Sequence, residues 1–192
     1  MLSDRKIEER KVRKKAIIKG ALIVFNNLGI DKTTMDEIAK ESGFGKATLY
    51  YYFSSKEDVF VDIMNYGWKD LWIGIESHII SDLKPRRKFI SIVKEIAKIV
   101  TADKILYGFL FTAPNYIKDP KHQTWKKYQD RLYSVLQSII EEGIQKKEFL
   151  NINPGLLMKA IGGLFHQLLI NNDETLQDDD FELMLKNFLN PR

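Results

Sequence analysis

The chain has 192 residues, 44% hydrophobic and 29% charged, with a formal net charge of +4. That length can bury a core, and the balance is that of a globular protein rather than a disordered or fibrous one. Cysteine is absent, which excludes disulfides, thiolate zinc sites and thiol catalysis, and no apolar run approaches the roughly 18 residues that span a bilayer.

The amino end, MLSDRKIEERKVRKK, is charged and lacks the apolar stretch of a signal peptide, so the expected compartment is the cytoplasm, with no membrane partner. Residues 1–20 carry eight lysines and arginines against three carboxylates. Such a concentration suits a polyanionic partner or a solvated helix end.

Glycine and proline are sparse, and apolar residues recur at helical spacing almost throughout, so the fold class is all-α. A first helix is predicted from Ile7 to Leu28, ended by Gly29, with Ile17, Ala21, Phe25 and Leu28 as its stripe. Thr34-Met35-Asp36-Glu37 fits a capping box and opens a second helix, stopped at Ser42-Gly43. Phe44 is expected to plug the core at the corner. A third helix starts near Gly45 or Lys46 and ends by Ser54-Ser55. Leu49 and Phe53 should face inward; Lys46, Ala47, Thr48, Tyr50, Tyr51 and Tyr52 should not. Of the three tyrosines, Tyr51 is the one expected to lean back on a neighbouring helix.

Ser55-Lys56-Glu57-Asp58 opens a long fourth helix to about Ser81, carrying Val59, Phe60, Ile63, Met64, Trp68, Leu71, Trp72 and Ile75. Further helices are predicted over 89–100, 123–147, 155–170 and 180–189, with a short apolar segment at 106–112. The helix at 155–170 is nearly apolar, so it should be covered on most sides.

Two short helices joined by a glycine-bearing turn make a helix-turn-helix pattern, whose second helix enters the major groove. Short helix pairs are common, and spacing alone does not decide. The denser signal is Ile17-Ile18, Ala21, Phe25 and Gly29, then Thr33-Thr34, Ile38-Ala39, Gly43, Thr48-Leu49-Tyr50, Tyr52-Phe53 and Lys56-Glu57. Over about residues 11–71 this resembles the amino-terminal domain of the TetR family of transcriptional regulators.

The resemblance implies a three-helix helix-turn-helix DNA-binding domain at 1–56, with its motif at 34–53. A long helix would join it to a helical effector-binding and dimerisation domain at 57–192. It implies that Thr34 and Met35 lie near phosphate and base edges. Lys46, Ala47 and Thr48 would open the recognition helix over the groove, Tyr50 and Tyr52 would contact backbone and bases, and Lys56 would bind phosphate. Hydroxyl and lysine groups at helix N-termini suit phosphate, and Lys46 could read a guanine edge. Gly45 stands where the family often has a serine or threonine cap, and Tyr52 where histidine is common.

The implied partners are a double-stranded DNA operator, a second copy of the chain, and a small apolar or aromatic effector. Trp68, Trp72, Phe109, Phe111, Trp125, Tyr128, Phe165 and His166 are candidate ligand contacts, although an aromatic stripe is more often core. The dimer seam would use Gly162, Gly163, Phe165, His166, Leu169, Phe181, Leu185 and Phe188. His78, His122 and His166 stand in no ligand spacing, so no metal is expected, and no cofactor. No catalytic motif stands in the chain, and an enzyme is not expected. The other readings are an all-α small-molecule-binding or catalytic protein with a structural helix-turn-helix, and a DNA-binding regulator answering to a protein partner.

Overall fold

The computed structural model describes residues 4–113, 116, 123–167 and 178–189, and among these every regular element is helical. The helices are α1 (Asp4–Leu28), α2 (Met35–Ser42), α3 (Lys46–Tyr52), α4 (Lys56–Ile79), α5 (Pro85–Ala102), α6 (Lys104–Thr112), α7 (Lys126–Gln145), α8 (Pro154–Phe165) and α9 (Asp178–Phe188). None of them, among the described residues, is long and apolar enough to cross a membrane.

The chain packs as two compact units, Met1–Gly67 with Thr112–Thr124, and Trp68–Phe111 with Trp125–Arg192. The helix α4 begins in the first and ends in the second. In the first unit, Ile17, Ala21, Leu22 and Phe25 of α1 close on Ile38 and Ala39 of α2, Leu49 of α3, and Val59, Phe60 and Ile63 of α4, all buried. Two sequence expectations fail here. Leu28 is exposed, because the helix ends there and its last turn runs past the core. Phe44 is only half-buried.

Gly29 and Gly43 both have positive φ, as expected of residues that end helices. At Gly43 the closure is a full Schellman motif: Phe44 N–H donates to Ala39 C=O at 3.0 Å and Gly43 N–H to Lys40 C=O at 3.2 Å. That closure sets the corner between α2 and α3. A second glycine governs how α2 sits. A Cβ on Gly20 would lie 2.8 Å from the backbone N and Cα of Ser42, so α1 approaches the end of α2 only because position 20 has no side chain.

In the second unit, Trp68, Leu71, Trp72 and Ile75 of α4 meet Phe89, Ile92, Val93 and Val100 of α5, with Leu106, Tyr107 and Leu110 of α6 and Leu136 and Ile140 of α7 also buried. The Tyr107 hydroxyl donates to Asp70 at 3.0 Å, and the Arg131 guanidinium lies 4.0 Å from the Trp72 ring. Glu182 of α9 accepts from Lys94 of α5 at 2.7 Å and pairs with Lys186 at 2.6 Å. The helix α8 is less covered than its composition suggests, for Leu156 is 56% exposed and Ala160, Gly162 and Gly163 are open.

Candidate functional site

The helix-turn-helix of the first unit is built from its caps outward. Thr34 is the N-cap of α2. Its hydroxyl accepts from Glu37 N–H at 3.3 Å, while the Glu37 carboxylate accepts from Thr34 N–H at 2.7 Å, so the predicted capping box is complete. The helix α3 has no side-chain cap, since Gly45 precedes it. It is fixed instead by burial of Leu49 and by Phe53, whose N–H donates to Leu49 C=O at 2.9 Å.

With Leu49 and Phe53 turned in, α3 presents Lys46, Ala47 and Tyr50 to solvent, and Thr48 and Tyr52 partly so. Thr34 is exposed and Met35 half-buried at the head of α2. Lys46 pairs with Asp36 across the turn, both side chains largely in water. Such a pair holds the lysine weakly, so exchanging Asp36 for another anion costs little.

Two placements differ from the sequence reading. Tyr51 does not lean back: it is 69% exposed, more than Tyr50. The Arg10 guanidinium of α1 lies 5.7 Å from its ring and 5.9 Å from that of Tyr52, so α1 meets these tyrosines through a cation rather than by packing. Lys56, expected on phosphate, is turned inward. Its ammonium donates to the carbonyls of Ile30 at 2.8 Å, Asp31 at 2.8 Å and Thr33 at 3.0 Å. Three acceptors match the three ammonium donors. Lys56 therefore ties the start of α4 to the loop that delivers Thr34. In the same loop the buried Thr33 hydroxyl donates to Gly29 C=O at 2.8 Å.

The second unit holds a cavity of about 610 Å³, within the range of small-ligand sites. Its walls come from α4, α5, the end of α6, α7 and α8. Phe111 and His166 line it; Trp68, Trp72, Phe109, Trp125 and Tyr128 do not. Trp68 and Trp125 are buried behind the wall, their rings 6.5 Å apart and 15° from parallel. Trp68 lies 5.7 Å from Phe111 and 6.3 Å from Tyr133, both of which do line the cavity. Partial burial pushes the Tyr133 phenol above its ordinary value, so it stays protonated at neutral pH.

Gly162 and Gly163, expected at a dimer seam, line the cavity as well. Leu185 is fully buried within the chain's own unit and leaves nothing for a second copy. Leu169 and the side chains of Phe165, Phe181 and Phe188 lie outside the described residues, as does His122. Among the described residues no three His, Asp or Glu side chains cluster as a metal site.

Sequence reasoning missed Gly20, Arg10 and Lys159. Each left a signal: a lone glycine inside a strong helical pattern, an arginine ahead of an apolar stripe, and the only charge in α8, which lines the cavity.

A capped α2, a left-handed glycine corner and a short α3 with its outer face free make this a helix-turn-helix protein of the DNA-binding kind. Residues 17–63 match the model of bacterial regulatory proteins, tetR family. An uncharacterised HTH-type transcriptional regulator of Bacillus subtilis, YfiR, is 24% identical over 180 residues, covering 80% of this chain and 82% of that one. The negative transcriptional regulator of the biofilm operon icaADBC in Staphylococcus aureus, IcaR, is 45% identical over 47 residues, 24% of this chain and 25% of that protein. The crystal structure of AibR with isovaleryl coenzyme A and operator DNA superposes with a TM-score of 0.81 at 18% identity, covering 93% of this chain and 98% of that one. The likeness to the tetR family is thus carried by residues 17–63, and a weaker likeness to one HTH-type regulator extends over 180 residues.

Proposed function

We propose that the chain is a repressor that binds a near-palindromic operator as a homodimer and is released by a small-molecule effector. The carrying observation is the outer face of α3, where Lys46, Ala47 and Tyr50 are exposed on a helix anchored by Leu49 and Phe53. A helix so presented fits the major groove, with Lys46 and Thr48 at the edges of bases and Tyr50 and Tyr52 toward the backbone. Thr34 and Met35, at the head of α2, lie where backbone amides favour phosphate. Arg10, beside Tyr51 and Tyr52, extends the cationic surface along α1. Lys56 serves by fixing the loop before Thr34 rather than by touching DNA.

Residues 1–56 act as the DNA-binding domain and 57–192 as the effector and dimer domain, in the cytoplasm. Two copies would place their α3 helices about 34–36 Å apart, one turn of DNA. The uncovered apolar positions, Leu156 of α8 and Leu183 of α9, support a helical seam between copies. An effector in the second unit's cavity that favours another spacing of the two α3 helices would lower the population able to bind. IcaR is a negative regulator, which supports repression, and AibR has been seen with operator DNA and an acyl coenzyme A, which supports an operator-binding protein that also takes a small effector.

The test is selection of bound sequences from random duplexes, then gel-shift at fixed salt with Lys46→Ala/Tyr50→Ala. Loss of specific binding with the dimer intact on sedimentation is the expected result. Unchanged affinity of the double variant refutes the placement of α3.

A further inference from the structure

We propose that the second unit's cavity takes an amphipathic anion, an acyl chain whose charged end is held by Lys159. The inference rests on reading that cavity as the effector site and narrows the effector from any apolar molecule to one chemical class.

The inner wall is hydrocarbon, with Leu71, Val93, Ile96 and Val100 among its residues. Such a wall gains by burying methylene groups and offers a head group nothing. Among the described residues the polar groups come from α7 and from α8 with its C-cap: Tyr133 and Gln137, four apart, and Lys159 and His166, seven apart. Residues 159, 162, 163 and 166 fall at i, i+3, i+4 and i+7, and so share one face of α8. Among the described residues the lining contains one ammonium and no carboxylate. A cationic ligand would find no counter-charge there, while an anionic one finds Lys159.

Lys159 is the sole charged residue of α8. It is exposed, and among the described residues it makes no ion pair. A lysine in this position reaches the mouth while its stem lies along apolar surface.

The two glycines supply the remaining argument. A Cβ on Gly162 or Gly163 would meet nothing within 4 Å, and neither glycine has positive φ. Among the described residues no contact, and no backbone conformation, requires glycine at either position. What the pair does is leave open the gap between Lys159 and His166, about 10 Å along the helix. The lining runs from Gly155 to His166, about 16 Å of helix, a length that suits an extended chain better than a compact ring.

The full-length chain is titrated with decanoate, decanol, decyltrimethylammonium and decanoyl coenzyme A, read by tryptophan fluorescence, since Trp68 touches two cavity-lining rings. Decanoate or its coenzyme A thioester should bind at least about tenfold more tightly than decanol, the worth of one charge-assisted contact; which of the two binds better separates a free carboxylate from a thioester-borne anion. Lys159→Gln should remove that advantage and leave decanol unchanged. Gly162→Leu, with its thermal unfolding checked, should abolish binding of all four by filling the gap. Equal or tighter binding of the cationic probe, or an unaltered decanoate affinity in Lys159→Gln, overturns the inference. Gel-shift in the same titrations keeps the two readings apart: anion binding that does not release operator sinks effector control and leaves the ligand class standing.

Discussion

Replacing Lys56 by methionine separates two roles that one side chain cannot fill at once. Methionine keeps the apolar stem and removes the ammonium, so the carbonyls of Ile30, Asp31 and Thr33 lose their shared donor. A hydrogen bond to a charged group contributes about 1.5–3 kcal/mol when water cannot replace it. Asp31 is exposed and Ile30 half-buried, so water takes over much of those two bonds. Thr33 is buried, and its carbonyl is left the poorest. The net loss should be about 2 kcal/mol, or about 4–8 °C in Tm for a chain of this size. Operator affinity should fall modestly, because the loop that sets the capped start of α2 loosens. The dependence of log affinity on log salt should keep its slope, since no phosphate contact is lost. A phosphate ligand would behave in the opposite way: unchanged Tm, and a slope reduced by about 0.9 for each contact removed. Thermal unfolding and salt-series gel-shifts on the same preparation decide it. An unaltered Tm with a shallower slope refutes the inward role.

Gly20→Ala should destabilise the first unit by about 1–3 kcal/mol, as overpacking does, because the new methyl meets Ser42 backbone at 2.8 Å; a gain near the 1 kcal/mol that alanine offers a free helix, measured by urea unfolding, would show that α1 and α2 are not in contact there. Arg10→Ala should lower the salt slope of operator binding by about 0.9 per protomer without changing which sequence is selected; an unchanged slope removes α1 from the DNA surface. The hydrogen bond from Lys186, then that from Lys94, holds the Glu182 carboxyl at about 2 against an ordinary 4.5. A depressed pKa means that its contribution is present above about pH 4.5 and lost as pH falls through 2. Near pH 3 the wild type should therefore lose more stability than Glu182→Gln does, judged from unfolding midpoints at pH 7 and pH 3.

The local devices were legible in sequence because they depend on neighbours along the chain. The capping box of Thr34 and Glu37, the left-handed Gly29 and Gly43, and the four-residue spacing of Leu49 and Phe53 are each a relation within a few residues. So was the all-helical class, since the apolar period is a one-dimensional signal. The family pattern belongs here too, being carried by those same short-range residues.

What the tertiary structure decided are relations between elements distant in sequence. Lys56 reads as an exposed cation at a helix start until the loop 26 residues upstream is folded over it. Tyr51 and Tyr52 are indistinguishable in the string TLYYYF; the packing of α3, which leaves Tyr51 exposed and Tyr52 half-buried beneath the same Arg10, tells them apart. Aromatic content pointed to the tryptophans as ligand contacts, yet Trp68 and Trp125 are buried behind the wall and aliphatic residues face the cavity. A cavity is the space that several helices fail to fill, so no single stripe of sequence records it. Helical period tells which residues turn inward; only packing tells whether they meet one another or leave room for something else.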